Sequence, residues 1–208
     1  MLIRKIDPQN IETQLAAIPA EQIACCNWAK DFPYTPKVTM KLAHTGERLI
    51  VRFEVEEDYT MARVERDNGE VWTDSCVETF IALDDKGYYN FEATCIGRLL
   101  LAYRIEREVG IEHACQEVLD TVKRYPSLPA SCFEERVGKN HWTLRLEIPA
   151  TALFRHNLTK WNGVKARMNL YKCGDKLSHP HFLSWKPIEW VKPDFHRPEF
   201  FVDVEFEA

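Results

Sequence analysis

The chain has 208 residues, 45% of them hydrophobic and 28% charged, with a formal net charge of −5. That length suits one large domain with a sizeable core. The acidic balance argues against a general nucleic-acid binder, which would carry a basic face. No run of about 18 apolar residues is present to span a membrane as a helix.

Pro8 to Ala17 reads as a helix, with Asp7 as a cap and Pro8 in the first turn. A helical extension is therefore expected over residues 1–25 and a β-sandwich over 26–208, together forming a single domain. The N-terminal stretch has no apolar h-region and places Asp7, Pro8 and Glu12 where one would lie. The expected location is cytoplasmic; an extracellular or periplasmic setting is the alternative were a leader to precede this sequence. Seven cysteines, without a CxxC pair or metal-finger spacing, fit a reduced protein. Cys76 and Cys95 fall inside predicted strands and should act as small buried hydrophobes.

From there the dominant period is two. Val38–Ala43 begins the series, and Leu49, Val51, Phe53 and Val55 alternate with polar neighbours. Strands are further predicted at Thr60–Arg66, Leu99–Ile105, Val118–Arg124 and Cys132–Val137. Trp142, Leu144, Leu146 and Ile148 alternate, Ala150–Phe154 suits a short helix, and Val164, Ala166, Met168 and Leu170 alternate before a last strand at Phe201–Phe206. About ten short strands with turns between them predict an all-β fold, an antiparallel β-sandwich of immunoglobulin or jelly-roll type.

Between Val71 and Gly97 two strands flank an Asp84-Asp85-Lys86-Gly87 turn, and this hairpin carries unusual chemistry. Glu78 sits between apolar strand residues, as does Glu92. An acid there costs free energy unless it is paired or faces a wet groove. If Val164–Leu170 neighbours the hairpin, Arg167, Asn169 and Tyr171 share an outward face with Glu78, Asn90 and Glu92. Acid, amide, guanidinium and aromatic groups on one face suit hydrogen bonding to a neutral polyol.

Trp72-x-Asp74-Ser75-Cys76-Val77-Glu78-x-Phe80-Ile81, then Tyr88-Tyr89-Asn90-Phe91-Glu92 and Cys95-Ile96-Gly97, resembles the carbohydrate-binding module family 9-like domains of the DOMON-like sandwich superfamily. Phe182-Leu183-Ser184-Trp185 and Pro193-Asp194-Phe195-His196-Arg197-Pro198-Glu199-Phe200-Phe201 resemble the closing motifs of that group. The resemblance implies non-catalytic binding of a mono- or oligosaccharide, with Trp72 and Trp185 clamping a terminal ring and Trp190 the substitute for Trp185. It further implies hydrogen bonds to the sugar from Glu78 and Arg98, helped by Asn90, Glu92 or Asn169, and a glycoside hydrolase partner in carbohydrate catabolism. No cofactor is required. Calcium, which some family 9 modules bind, would draw on Asp84 and Asp85, although the rest of a ligand set is missing.

Other readings compete at several of these positions. Asp74 suits fixing the Trp72 turn, and Trp28, Trp142 and Trp161 suit the core. His196 and Arg197 belong to a loop stiffened by Pro193 and Pro198 that should pack back over the sandwich and form a site wall. His179 and His181 lack a third metal ligand. Glu78 and Glu92 could instead serve as the acid pair of a glycoside hydrolase. Haem is the remaining alternative, with axial ligands drawn from Met61, Met168 or the histidines.

Overall fold

A computed structural model describes residues 1–208. Its strands are β1 (Leu2–Lys5), β2 (Glu21–Gln22), β3 (Lys37–His44), β4 (Arg48–Ala62), β5 (Cys76–Ala82), β6 (Tyr88–Thr94) and β7 (Leu99–Arg104). They continue with β8 (Glu112–His113), β9 (Lys123–Pro126), β10 (Phe133–Pro149), β11 (Lys165–Cys173), β12 (Phe182–Ser184) and β13 (Val202–Phe206). Two short α-helices, α1 (Ile11–Ala17) and α2 (Gln116–Thr121), and three single turns of 3-10 helix complete the set.

The expected all-β sandwich is present. One sheet runs β8-β7-β6-β5-β11-β13, with β12 also on β11; the other runs β3-β4-β10-β9, with β2 on β3. Alternation sends Val51, Phe53, Leu144, Leu146, Met168, Leu170, Val77 and Phe91 into one core between the sheets. The other face of the first sheet is not bare. Phe80, Tyr88, Leu100 and Tyr171 form a second, smaller apolar layer with Trp28, Phe195 and Phe201.

That second layer is roofed by the segment from Trp185 to Phe201. Phe195 stacks on Tyr171 with ring centroids 4.2 Å apart, and Tyr171 Oη donates to the Phe195 carbonyl. Trp28 Nε1 donates to the Trp190 carbonyl. Pro193 and Pro198 remove two backbone donors from this roof, so side chains fix it where a ladder could not.

Several local expectations change. Residues 1–25 are not a helical extension, because β1 lies within the sheets and pairs in parallel with both β13 and β3. The sandwich is therefore antiparallel except at β1. Helix α1 begins at Ile11; Asp7 instead organises the preceding turn, its Oδ1 accepting from Gln9 N at 2.8 Å. The stretch predicted as a strand at Val118–Arg124 is mostly α2, whose Leu119 faces the sandwich together with Val122 just past its end, at the i, i+3 spacing of a helix. Cys132–Val137 and Trp142–Ile148 merge into the single long β10, with bulges at Phe133/Arg136 and Val137/Asn140 where the apolar alternation lapses. Trp142 and Trp161 are buried in the inter-sheet core, and Trp28 in the second layer.

Candidate functional site

The register of the first sheet decides which groups meet. Glu78 on β5 lies directly opposite Glu92 on β6, and Asn90 opposite Phe80. Across β6, Leu100, Ala102 and Arg104 follow on the same face. On the other side Tyr171 and Cys173 of β11 pair with Glu78 and Cys76. Beneath the Trp185–Phe201 roof, Glu78, Glu92, Arg104 and Cys173 of this face line a pocket of about 280 Å³, at the small end of ligand sites. Its walls include Trp72, Arg104, Arg107, Asp175, Phe182 and Phe195.

Trp72 occupies a single turn of 3-10 helix, Val71–Thr73, at the mouth of β5. Asp74 holds that turn against the end of β4, its Oδ2 accepting from the backbone N–H of Arg63 and Val64, both at 2.8 Å. The Trp72 carbonyl also accepts from Asp175 N at 3.1 Å. The indole is left half-buried at the rim.

Asn90 stands behind the wall. Its Nδ2 donates to Glu92 Oε1 at 2.8 Å, and its Oδ1 accepts from Arg104 Nε at 3.2 Å. One amide thus orients both an acid and a guanidinium. His196 caps the pocket from the roof, its Nδ1 paired with Tyr88 Oη at 2.9 Å. Burial, with Arg104 and Arg107 nearby, lowers this imidazole to about 3, so it stays neutral.

The pocket floor is acidic. Burial, reinforced by Glu92 opposite, holds Glu78 well above the usual carboxylate range. Burial pushes Glu92 up to about 7 and Asp175 up to about 6. The folded protein therefore binds more protons than the unfolded chain between about pH 4 and 7. The penalty is absent below the unfolded values and complete above the folded ones, so stability falls as pH rises through this window. Glu92→Gln is expected to flatten that slope and to raise stability above about pH 7; Asn90, Arg104, Glu78 and Asp175 remain around it. Urea unfolding at about pH 5 and 7.5 checks this, and parallel profiles for the two proteins would refute it.

Of the residues singled out from the sequence, the structure brings Trp72, Glu78 and Glu92 to the pocket, with Asn90 behind them. Four others go elsewhere. Trp185 is 5% exposed within the inter-sheet core, its Nε1 donating to Glu21. The reason is alternation along β12, which turns Phe182 to the pocket and Leu183 and Trp185 inward. Trp190 is no substitute, being exposed beneath the Arg197 guanidinium and outside the pocket. Asn169 is a clip: its Nδ2 donates to the Lys186 carbonyl and its Oδ1 accepts from Lys186 N. Arg98 sits in the β6–β7 turn, its backbone N–H donating to Thr94 Oγ1. Arg104, six residues on along the same strand face, is the arginine that reaches the pocket.

Arg104, Arg107, Asp175, Phe182 and Phe195 were not singled out. Period-two spacing from Leu100 could have found Arg104; Arg107 and Asp175 lie in loops, beyond the reach of any period.

The remaining candidates are otherwise engaged. Asp84 contacts His156 and Asp85 pairs with Arg167 Nη2 at 2.7 Å. His181 Nε2 lies 2.7 Å from Lys172 Nζ while His179 stacks on Tyr59, so the two imidazoles do not converge. Met168 is enclosed in the inter-sheet core and Met61 is buried, which leaves neither free as an axial ligand.

The model of carbohydrate-binding family 9 matches residues 7–206. The chain belongs to that family. The family 9 assignment covers both sheets and the roof and makes carbohydrate binding, without catalysis, the coarse function of the chain. No curated protein matches the sequence. Among solved structures, a candidate carbohydrate-binding protein from Bacteroides uniformis is 40% identical, with a TM-score of 0.93, covering 100% of this chain and 98% of that one. A family 9 module from Caldicellulosiruptor kristjanssonii in complex with glucose shares the fold at 9% identity and a TM-score of 0.63, covering 100% and 95%. The same comparison with a Caldicellulosiruptor kristjanssonii module in complex with cellotriose gives 9% identity, a TM-score of 0.61 and coverage of 100% and 93%.

Proposed function

We propose that this family 9 module binds a neutral saccharide, one ring or the end of a short oligosaccharide, in the pocket between the first sheet and the Trp185–Phe201 roof. The observation that carries this is the convergence of an exposed-edge tryptophan with fixed polar groups: Trp72 at the rim, Glu78 and Glu92 on the floor, and Arg104 oriented through Asn90. Sugar C–H faces pack on an indole by burial and by the ring's negative face. Carboxylate and guanidinium groups then take the hydroxyls, their bonds being roughly twice as strong as neutral ones. Phe195 and Phe182 stand where a second aromatic wall is wanted, in place of Trp185. The glucose and cellotriose complexes of the Caldicellulosiruptor kristjanssonii modules make these two the first ligands to try.

Recognition rather than hydrolysis fits the layout. Glu78 and Glu92 project from neighbouring strands of one sheet and would approach a sugar from the same side. Hydrolysis uses two carboxyl groups that flank the scissile bond. The associated hydrolysis would then belong to a glycoside hydrolase acting on the same carbohydrate in its catabolism. Affinity should be modest, since each hydrogen bond made replaces one to water.

Calorimetric titration of wild type and Trp72→Ala with glucose and cello-oligosaccharides tests the reading. Binding should be lost in a Trp72→Ala protein that still unfolds cooperatively. Undiminished affinity in that folded variant would rule out the rim tryptophan, and release of chromophore from aryl glycosides would rule out recognition alone.

A further inference from the structure

One cluster at the pocket floor adds two thiols, which sugar recognition does not use, to the Glu78 carboxylate. Cys76 and Cys173 face each other in register on β5 and β11. Glu78 is two residues beyond Cys76 on the same strand and so on the same face. The Cys173 thiol donates to Glu78 Oε1 at 3.0 Å. The two sulfurs and the carboxylate oxygen all lie within 4.8 Å of one another, and all three residues are buried.

Charge at this place is unbalanced. Deeper in the sandwich the buried Glu57 is matched by Lys172 at 2.9 Å. Arg107 reaches the roof acid Asp194 at 3.4 Å and Glu108 at 3.3 Å. Glu78, Glu92 and Asp175 have no lysine or arginine nitrogen in ion-pair contact, so the protein itself places no cation against the carboxyl groups of the floor. A desolvated carboxyl group in that situation either keeps its proton or takes a cation.

The geometry points to Cys76, Cys173 and Glu78 as a site for a thiophilic divalent cation, zinc being the type case. Carboxylates alone would suit calcium or magnesium, but two opposed sulfurs change the preference to a softer ion. A tetrahedral zinc with sulfur at about 2.3 Å and oxygen at about 2.0–2.2 Å spaces its ligands at roughly 3.5–3.8 Å, inside the present spread. Three protein ligands leave the fourth position open. Because Glu78 and Cys173 line the pocket, with Asp175 beside them, water or a ligand hydroxyl can supply the fourth ligand from there. Glu78 and Cys173 line the pocket, so the ion has a route in from solvent. Binding involves no oxidation or reduction: the cation displaces one proton from each thiol, and Glu78's when it carries one, and these pass to solvent. Oε1 of Glu78 turns to the metal while its second oxygen stays available to the pocket, which makes the cation a neighbour of the proposed sugar position.

The test uses the full chain, purified reduced, stripped with chelator and free of sugar, titrated with Co²⁺ alone and then with Zn²⁺ alone. Expected are a thiolate-to-cobalt charge-transfer band at equimolar Co²⁺, its displacement by equimolar Zn²⁺, and loss of the band in Cys76→Ser and in Cys173→Ser. Glu78→Gln should keep the band, which arises from the thiolates, and bind more weakly through loss of one direct ligand. Cys115→Ser, at an exposed position, should match wild type. Wild type is decisive even where a serine variant fails to fold: no band at all overturns the site, as does a band that survives both serine substitutions. So does a chain whose Cys76 and Cys173 are found joined as a disulfide after full reduction and metal loading. Since no sugar is present, failure here leaves the saccharide reading intact, and loss of sugar binding in Trp72→Ala says nothing against the metal.

Discussion

Lys172→Met is expected to lower the unfolding free energy by about 3–5 kcal/mol, the range for removing one partner of a buried ion pair. Lys172 is on β11 with its side chain turned into the sandwich, and Glu57 reaches it from β4 in the opposite sheet. Neither side chain is exposed. The ammonium lies 2.9 Å from Glu57 Oε2 as an ion pair and hydrogen-bonds the Cys173 carbonyl at 2.8 Å and His181 Nε2 at 2.7 Å. His181 Nδ1 lies 3.1 Å from the His179 carbonyl and is the donor there, which leaves Nε2 free to accept from the ammonium. That arrangement needs a neutral ring, and burial with Lys172 beside it does lower His181 well below the usual imidazole range. Glu57 Oε1 also accepts from Trp142 Nε1 at 2.7 Å and Thr60 Oγ1 at 3.0 Å. Methionine in place of Lys172 fills much of the volume but strands this carboxylate in the core. Adding Glu57→Gln keeps an acceptor for Trp142 and removes the charge, so the double variant should recover most of the loss. Denaturant melts of the three proteins at neutral pH measure it. A loss under about 1 kcal/mol for Lys172→Met would show that the pair is solvated rather than buried.

The second large effect concerns two arginines at opposite ends of β7. Arg104→Gln should weaken saccharide binding by about 10- to 100-fold, the equivalent of one charge-assisted hydrogen bond of about 1.5–3 kcal/mol. Arg98→Gln should leave it within about twofold. Arg104 is held by Asn90 and donates to the Arg107 carbonyl, so its guanidinium is positioned before any ligand arrives. Arg98 lies at the far end of β7, roughly 20 Å away at about 3.3 Å per residue. Titration of both variants against one sugar, each checked for a cooperative thermal transition, decides between them. The opposite ranking would move the binding site to the β6–β7 turn and dissolve the pocket proposed here.

The same two residues show what could be read from the sequence. Period-two alternation identified the sheets, the outward placement of Glu78, Asn90 and Glu92, and the inward placement of Met168 and Leu170. Motif resemblance found the Trp72 turn and the roof. It failed where a motif residue sits one step out of phase: Trp185 follows Leu183 into the core, while Phe182, one residue before Leu183, turns to the pocket. Arg107 and Asp175 reach the pocket from loops, whose course depends on partners far along the chain. Helix α2 reads as a strand because Val118 and Val122, the second just past its end, fit strand and helix spacing equally well over so short a run. Strand β1 was invisible because four residues carry little pattern, and both of its neighbours are distant in sequence.

That first strand also sets an order of assembly. β1 comes near the start of the chain and β13 near its end, and Leu2 pairs with Glu205 while Arg4 pairs with Ala43. During synthesis β1 can dock on β3 early, but its second edge stays open until the last strand emerges. The seam between the two sheets is therefore sealed last, by the contact of greatest sequence separation, and loop closure of that length is slow. Until then Ile3, whose partner Phe206 lies on β13, has no lid over it. A nascent or truncated chain lacking β13 would present a free strand edge beside an open core, the kind of surface that recruits chaperones or pairs with another copy of itself.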